Sequence, residues 1–230
     1  MKTFYINLDS GKSRREKFAE TNYQRWRATP KAEVPEFIDK KMISMYNFGR
    51  DRHLGRCGCF ASHISLWEHI VKQKLDDVLI LEDDAVLMRT PPTDYPKDSI
   101  VYLGGFIHNR SMMNNTKIRN MEHKEGINVC PPQYRVLGCV AYIMPTWKVA
   151  LSILNKIYQQ KRFRAIDIML GNIGIKQYYW FPGCFREEGS ASQISDDSRR
   201  ADNIQTDIYQ FIPLKRFLSQ QKEKVSHSIK

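Results

Sequence analysis

Three consecutive acids at the end of an apolar run are the residues of this chain best suited to chemistry. Glu82, Asp83 and Asp84 directly follow the aliphatic run Val78–Leu81. That run predicts a strand buried on both faces, and the C-terminal strand ends of open α/β sheets are where ligands bind. In an extended chain Glu82 and Asp84 share one side, which favours a Mg²⁺ or Mn²⁺ site. A solvated acidic turn is the alternative interpretation.

A second polar group follows the first predicted strand. Residues 3–8 predict a buried strand, and Asn7 near its end carries an amide able to hydrogen-bond a base or ribose. Arg14 and Arg15 open a basic amphipathic helix predicted over 14–27, where they would lie near a bound phosphate. A solvated helix face is the alternative interpretation of both arginines.

A third group lies in the helix predicted after Gly55 and Gly58. An apolar stripe at helical spacing marks this helix: Phe60, Ile64, Trp67 and Val71. Ser62 and His63 fall within it, just before the acidic strand, and a lone helical histidine is more often structural. Cys57 and Cys59 have no second Cys/His pair at zinc spacing, so reduced thiols are expected.

The elements that must position these residues alternate between strands and helices, which predicts an α/β fold. Residues 28–53 are predicted to be irregular, 186–207 to be loop-like, and 106–135 to form a functional loop or lid. We expect one domain over 1–210 and a basic tail over 211–230. Strands are predicted at 3–8, 77–82, 100–103, 136–144 and 178–181, and helices at 14–27, after Gly55, at 146–160 and at 165–172.

The whole chain of 230 residues carries a net charge of +11, which predicts attraction to phosphorylated ligands, nucleic acid or an acidic membrane. The N-terminus has no signal-peptide core and the sequence has no transmembrane run, so we expect a cytoplasmic protein. The tail has five Lys/Arg against one Glu. It is expected either to hold the protein peripherally on an anionic membrane or to be a solvated terminus.

Taken in order, these motifs resemble glycosyltransferase family 25, which includes lipopolysaccharide-type and procollagen-type galactosyltransferases. The resemblance covers most of residues 4–170 and weakens afterwards, where Arg186 stands at the place of an expected glutamine. The matching segments are Ile6–Leu8 with Arg14–Arg15, Gly55–Trp67, Leu79–Ala85, Tyr102–Gly104, Gly138–Ile143 and Ala165–Asp167.

The resemblance implies a single-domain, Rossmann-like GT-A fold with a mixed, mostly parallel sheet flanked by helices. It implies a UDP-sugar donor, commonly UDP-galactose, and an inverting transfer to a glycan, glycolipid, lipooligosaccharide or glycoprotein acceptor. Asp84 is then the expected direct ligand of Mn²⁺ or Mg²⁺, and Glu82 or Asp83 supports the metal or holds the ribose. The remaining residues expected around the donor are Asn7, Leu8, Arg14, Ser62 and His63.

An inverting displacement needs a base for the acceptor hydroxyl. Asp167 is the expected base because it matches the family's Ile-Asp pair near a helix start, with Glu187 and Glu188 in reserve. A charge that stabilises a helix N-terminus is the alternative role of Asp167.

Three other functions remain open at the level of the sequence. A basic nucleic-acid-binding module is disfavoured, because the basic residues are scattered and no recognition motif is present. A non-catalytic relative that binds a glycan or another partner is disfavoured by the intact Glu82-Asp83-Asp84 run. A metal-dependent phosphohydrolase is the third alternative.

Overall fold

The fold is taken from a computed structural model that describes residues 1–41, 51–109, 123–160, 164–188 and 206–207. The helices are α1 (Lys12–Glu16), α2 (Val34–Lys41), α3 (Asp51–Lys72), α4 (Trp147–Tyr158) and α5 (Ile166–Asn172). The strands are β1 (Lys2–Asn7), β2 (Gln24–Arg27), β3 (Val78–Glu82), β4 (Ala85–Leu87), β5 (Val101–Tyr102), β6 (Phe106–Asn109), β7 (Gly126–Val129), β8 (Tyr134–Leu137), β9 (Ala141–Met144), β10 (Tyr178–Phe181), β11 (Phe185–Glu187) and β12 (Thr206–Asp207). Helices flank a mixed sheet in which β1, β2 and β3 are parallel, so the predicted α/β class is confirmed.

The described strands form one large sheet and two small ones. The large sheet has seven strands in the order β2-β1-β3-β9-β5-β10-β7. Five of them run in one direction, whereas β9 and β7 run antiparallel to their neighbours. β4 pairs with β11, and β6 lies between β8 and β12. This mixed, mostly parallel sheet with flanking helices is the Rossmann-like GT-A architecture that the sequence predicts.

Each face of the large sheet has its own apolar core, and β3 contributes to both. Val78 and Ile80 join the core that contains α3, α4 and α5. Leu79 and Leu81 point to the opposite face, which is covered by Phe18, Tyr95 and Phe185 instead of long helices. All four aliphatic side chains of β3 are at most 2% exposed. The prediction of a strand buried on both faces is confirmed, and the acids that follow it start where this burial ends.

The prediction of a helix over 14–27 is wrong beyond Glu16. α1 ends at Glu16, and β2 follows as a strand parallel to β1, with Trp26 opposite Ile6. Trp26 still faces inward, since its ring packs edge-on against Phe4 with centroids 6.1 Å apart. Pairing with the edge of the sheet therefore overrides the basic amphipathic pattern, because a backbone ladder satisfies the N–H and C=O groups as a helix would.

The predicted single strand over 136–144 is also wrong, because it is two strands in different sheets. β8 lies in a small sheet and β9 in the large one, and Gly138 between them has φ +78°, outside extended conformation. A matching break separates β5 from β6 at Gly104 and Gly105. A Cβ on Gly105, whose φ is +112°, would lie 2.4 Å from the carbonyl oxygen of Leu137. The chain thus crosses between sheets twice, at closely packed glycines.

Three segments predicted to lack regular structure contain some. α2 and the start of α3 lie in the stretch 28–53, β6 and β7 lie in 106–135, and Arg186 and Glu187 belong to β11. Residues 110–122 of the predicted loop 106–135, residues 189–205 of the predicted loop 186–207, and the whole tail 211–230 fall outside the described residues. Among the described helices, none combines the length and apolar character needed to cross a bilayer.

Candidate active site at the strand ends

A cleft opens at the C-terminal ends of β1 and β3, between these strands, α3 and the segment after β2. The predicted residues that line the cleft are Leu8, Arg14, Ser62, His63, Glu82, Asp83 and Asp84. Parallel strands that end at the same edge of a sheet explain this convergence. Two residues predicted to lie near the donor do not line the cleft: Asn7, which is buried and hydrogen-bonds Asp83, and Arg15, which donates to the Asp9 carbonyl over 2.8 Å.

Asp83 is held by the residues that follow β1. Asn7 Nδ2 donates to Asp83 Oδ2 over 2.8 Å and to the Gly11 carbonyl over 3.1 Å, and Arg14 Nη1 donates to Asp83 Oδ1 over 2.7 Å. Arg25 Nε in turn donates to Asn7 Oδ1 over 3.2 Å. Asn7 is 1% exposed and both of its N–H groups are used, so in this arrangement it positions Asp83.

Asp84 is the acid whose environment best fits a cation. Its Oδ1 is buried and receives no hydrogen bond among the described residues, and Arg14 Nη1 lies 3.8 Å from its Oδ2. Burial and the charges of Glu82, Glu187 and Asp83 raise the pKa of Asp84 to about 7, against a lowering by Arg14. An unpartnered carboxylate oxygen among other acids suits a hard divalent cation, which takes oxygen ligands. The residues present therefore fit Mn²⁺ or Mg²⁺ at Asp84 and Glu82.

The side chain of Glu82 points towards α3, away from Asn7 and Arg14, which hold Asp83. Its Oε1 lies 3.3 Å from His63 Nε2 and 3.8 Å from Cys59 Sγ. The other ring nitrogen of His63 lies 2.7 Å from the Tyr142 hydroxyl, which also accepts a hydrogen bond from Trp67 Nε1 over 2.9 Å. His63 is fully buried, yet its Nε2 faces the acidic end of the cleft.

Ser62 joins α3 to the segment after β2. Its hydroxyl donates to the Gly58 carbonyl over 2.6 Å and accepts from the Thr29 N–H over 2.8 Å. Gly58 permits this close approach, since a Cβ there would lie 2.6 Å from the Thr29 carbonyl oxygen. Leu8 lies on the opposite wall, in a tight turn closed by the bond from the Gly11 N–H to its carbonyl over 3.0 Å. Ser62 thus holds α3 against the segment after β2.

Asp167 lies apart from the residues that line the cleft. It is in the first turn of α5, where Oδ1 accepts from the Ile168 N–H over 2.7 Å and Oδ2 from the Gly138 N–H over 3.2 Å. Removal from solvent raises the pKa of the Cys59 and Cys139 thiols, and the charge of Asp167 raises it further. The carboxylate therefore joins α5 to the break between β8 and β9, on the α3 side of the cleft.

Several residues of the site were missed by reasoning from the sequence. Lys31 and Thr29 line the cleft from a segment predicted to be irregular, and Cys59 lines it from α3. Glu187, which the sequence places in reserve as a base, lies opposite Ala85 in the β4–β11 pair and contributes to the acidic field at Asp84. Glu188 lies farther out, where its side chain accepts a hydrogen bond from Lys17 over 3.2 Å.

This fold and this cleft define the class of protein as a Rossmann-like GT-A protein with acids at the strand ends. The family model described as "Glycosyltransferase family 25 (LPS biosynthesis protein)" matches residues 1–90. Over these residues the chain is similar to glycosyltransferase family 25, and the resemblance seen in the sequence is confirmed there. The matched part contains β1, α3 and the whole Glu82-Asp83-Asp84 run, but not Asp167.

Two curated relatives are similar to part of the chain. Procollagen galactosyltransferase 2 of Mus musculus and of Homo sapiens are each 30% identical over 97 residues, which covers 35% of this chain. The similarity spans only 15% of the length of each relative. The similarity therefore concerns one part of each relative and does not extend over its length.

Proposed function

We propose that the chain is a metal-dependent, inverting hexosyltransferase that moves galactose or glucose from a UDP-sugar to a glycan, lipooligosaccharide or glycoprotein acceptor. The observation that carries the proposal is the buried, unpartnered Oδ1 of Asp84, set among acids at the strand ends. It lies in the part of the chain matched by the glycosyltransferase family. The name of the two relatives favours galactose as the transferred sugar.

The donor is held by charge and shape on the β1 side of the cleft. Arg14 and Lys31 both line it, and their positive charges complement a diphosphate. Asp83, fixed by Asn7 and Arg14, keeps its carboxylate in place for a ribose hydroxyl. Leu8 supplies an apolar wall for the nucleotide beside these polar groups.

Asp84 and Glu82 would hold the divalent cation, Mn²⁺ or Mg²⁺. When bound, the cation neutralises negative charge that develops on the leaving diphosphate, an effect worth several kcal/mol. Arg14, 3.8 Å from Asp84 Oδ2, favours the ionised carboxylate that cation binding requires. His63 and Cys59 orient Glu82 from the opposite side.

Asp167 is the proposed base for the acceptor hydroxyl. In a single displacement the hydroxyl oxygen bonds to the anomeric carbon, the bond from that carbon to the diphosphate breaks, and the base takes the hydroxyl proton. The hydrogen bonds from Ile168 and Gly138 fix the orientation of the carboxylate. They leave acceptor capacity, since an ionised carboxylate has about four lone-pair sites.

The test is product analysis with the purified chain, Mn²⁺, and UDP-galactose or UDP-glucose, offered lipooligosaccharide or procollagen acceptors. We expect acceptor-dependent UDP release and a product one hexose heavier, both reduced at least about 100-fold in Asp84→Asn. Asp94→Asn, an exposed acid outside the cleft, is the matched control and should retain activity. Equal transfer by Asp84→Asn, or UDP-sugar hydrolysis unaffected by acceptor, would contradict the proposal, and the second result favours a phosphohydrolase.

A further inference from the structure

We propose that Cys59, His63 and Glu82 form a zinc site in the wall of the cleft, next to the oxygen ligands offered by Asp84. One ligand atom from each of these residues lies within 4.8 Å of those of the other two. No Cys/His pattern predicts the site, because its third ligand comes from the end of β3. Cys59 and His63 are four residues apart on α3, so they share one face of the helix.

The separations between the ligand atoms suit a tetrahedral zinc ion. Zinc bonds of about 2.3 Å to sulfur and about 2.0–2.1 Å to nitrogen and oxygen place tetrahedral N and O ligands about 3.4 Å apart, and S and O ligands about 3.6 Å apart. His63 Nε2 lies 3.3 Å from Glu82 Oε1, and Cys59 Sγ lies 3.8 Å from the same oxygen. The site therefore needs only small side-chain adjustments to take the ion.

His63 has the outer partner that a zinc-binding histidine needs. Zinc-bound histidines usually donate their second N–H to a nearby acceptor, which fixes the ring and leaves the first nitrogen for the metal. The Tyr142 hydroxyl lies 2.7 Å from His63 Nδ1 and accepts from Trp67 Nε1. Because a hydroxyl oxygen has two lone pairs, Tyr142 is able to accept from both residues and leave Nε2 unprotonated towards Glu82.

The ligand types favour zinc over the cation proposed at Asp84. A thiolate and an imidazole select zinc, whereas Mn²⁺ and Mg²⁺ prefer carboxylates and water. Cys59 and Glu82 are partly exposed in the cleft, so an ion can enter and a water molecule can complete its coordination. Binding converts the Cys59 thiol to a thiolate and releases its proton to solvent.

The experiment titrates the reduced full chain with Co²⁺, a spectroscopic substitute for zinc, and then displaces it with Zn²⁺. We expect one equivalent of Co²⁺ with a thiolate-to-cobalt charge-transfer band that Zn²⁺ abolishes. Cys59→Ser should remove this band, and both Cys59→Ser and Glu82→Gln should weaken zinc binding at least about 100-fold. Cys57→Ala, two residues away and outside the cluster, is the control and should bind like the wild type.

Cys59 is partly exposed, so Cys59→Ser should fold, and a thermal melt confirms this before the titration. Absence of the charge-transfer band in the wild type, or an unchanged band in Cys59→Ser, would overturn the proposal. Equal loss of the band in Cys57→Ala would also overturn it, because the thiolate would then not be specific to Cys59. The readout is metal binding, so a chain that fails to transfer sugar can still show the zinc site.

Discussion

At the scale of single residues, the three consecutive acids have three different environments. Asp83 is neutralised by Arg14 and held by Asn7, whereas Glu82 faces the thiol and imidazole of α3. Asp84 lies between them with a buried oxygen that receives no hydrogen bond among the described residues. The electrostatic cost of placing three acids together therefore falls mainly on Asp84, whose pKa is raised.

That cost predicts a dependence of stability on pH. Because the pKa of Asp84 is about 7 in the folded protein and ordinarily 3.8, the folded state holds a proton that the unfolded chain loses between these values. The free energy of unfolding should therefore fall as pH rises from about 4 to about 7, by at most about 4 kcal/mol. Denaturant unfolding of metal-free wild type and Asp84→Asn at pH 5, 6, 7 and 8 measures the effect.

The difference between the two proteins isolates Asp84, since their other titrating groups are shared. Asp84→Asn should gain stability relative to wild type as pH rises, and Asp94→Asn should not. A difference between Asp84→Asn and wild type that stays constant from pH 5 to pH 8 would show that Asp84 carries no raised pKa.

Asp167 and Glu187 are the two candidate bases, and substituting each in turn should show which one acts. Asp167→Asn should lower kcat by about 10²–10⁴-fold with little change in the KM for the donor, because a base acts on the acceptor hydroxyl. Glu187→Gln should have a smaller effect on kcat and a larger one on metal affinity, since Glu187 contributes to the field at Asp84. Steady-state kinetics with varied donor and Mn²⁺ distinguish the two. The reverse pattern would assign the base to Glu187.

At the scale of elements, the sequence predicts those whose own periodicity agrees with their final packing. β3 is found where predicted, and α3 contains the predicted helix but begins earlier, at Asp51, because a continuous aliphatic run and a helical apolar stripe describe their buried surfaces directly. The sequence predicts helix where β2 lies, because the identity of β2 depends on its pairing with β1, and the break at Gly138 depends on a crossing between sheets. Neither the pairing of β2 with β1 nor the crossing between sheets produces a periodic pattern in the local sequence.

α3 is expected to be sensitive to a change at Gly58. Alanine is ordinarily favoured over glycine in a helix by about 1 kcal/mol, but its Cβ here would lie 2.6 Å from the Thr29 carbonyl oxygen. Backbone atoms cannot swing aside, so Gly58→Ala should lower the free energy of unfolding by about 1–2 kcal/mol and widen the cleft. Denaturant unfolding and the KM for the donor measure these effects.

Gly171→Ala in α5 is the matched comparison, since the three atoms nearest to a Cβ there all belong to the side chain of Arg135 and not to backbone. It should cost less stability than Gly58→Ala and leave the donor KM unchanged. Equal costs for the two substitutions would show that the contact between α3 and Thr29 does not constrain the cleft.

At the scale of the whole molecule, the positive charge suggests where the protein acts. The tail over 211–230 carries Lys215, Arg216, Lys222, Lys224 and Lys230 against a single glutamate, and each surface cation can add about 1 kcal/mol of attraction to anionic lipid. Replacing all five with glutamine in the full chain should abolish sedimentation with phosphatidylserine vesicles. Transfer to a soluble acceptor should not change. Unchanged vesicle binding would exclude the tail as the membrane contact.

Much of the site could be predicted because it lies at strand ends. Asn7 and the acids after β3 converge since parallel strands finish at one edge of the sheet. Lys31 and Cys59 could not be assigned, because they reach the cleft only when α3 packs on the segment after β2 through Gly58. The role of Asp167 still depends on resemblance, since its carboxylate accepts hydrogen bonds from the backbone N–H groups of Ile168 and Gly138.

The most direct measurement of the central claim is the melting temperature of wild type and Asp84→Asn with UDP-galactose and UDP-glucose, each with and without Mn²⁺. A ligand at one hundred times its dissociation constant adds about 2.7 kcal/mol, which shifts the melting temperature clearly. The proposed site predicts stabilisation of the wild type by one UDP-sugar only when Mn²⁺ is present, and none in Asp84→Asn. No shift with either donor, or an equal shift in Asp84→Asn, would contradict a metal-dependent donor site at the ends of β1 and β3.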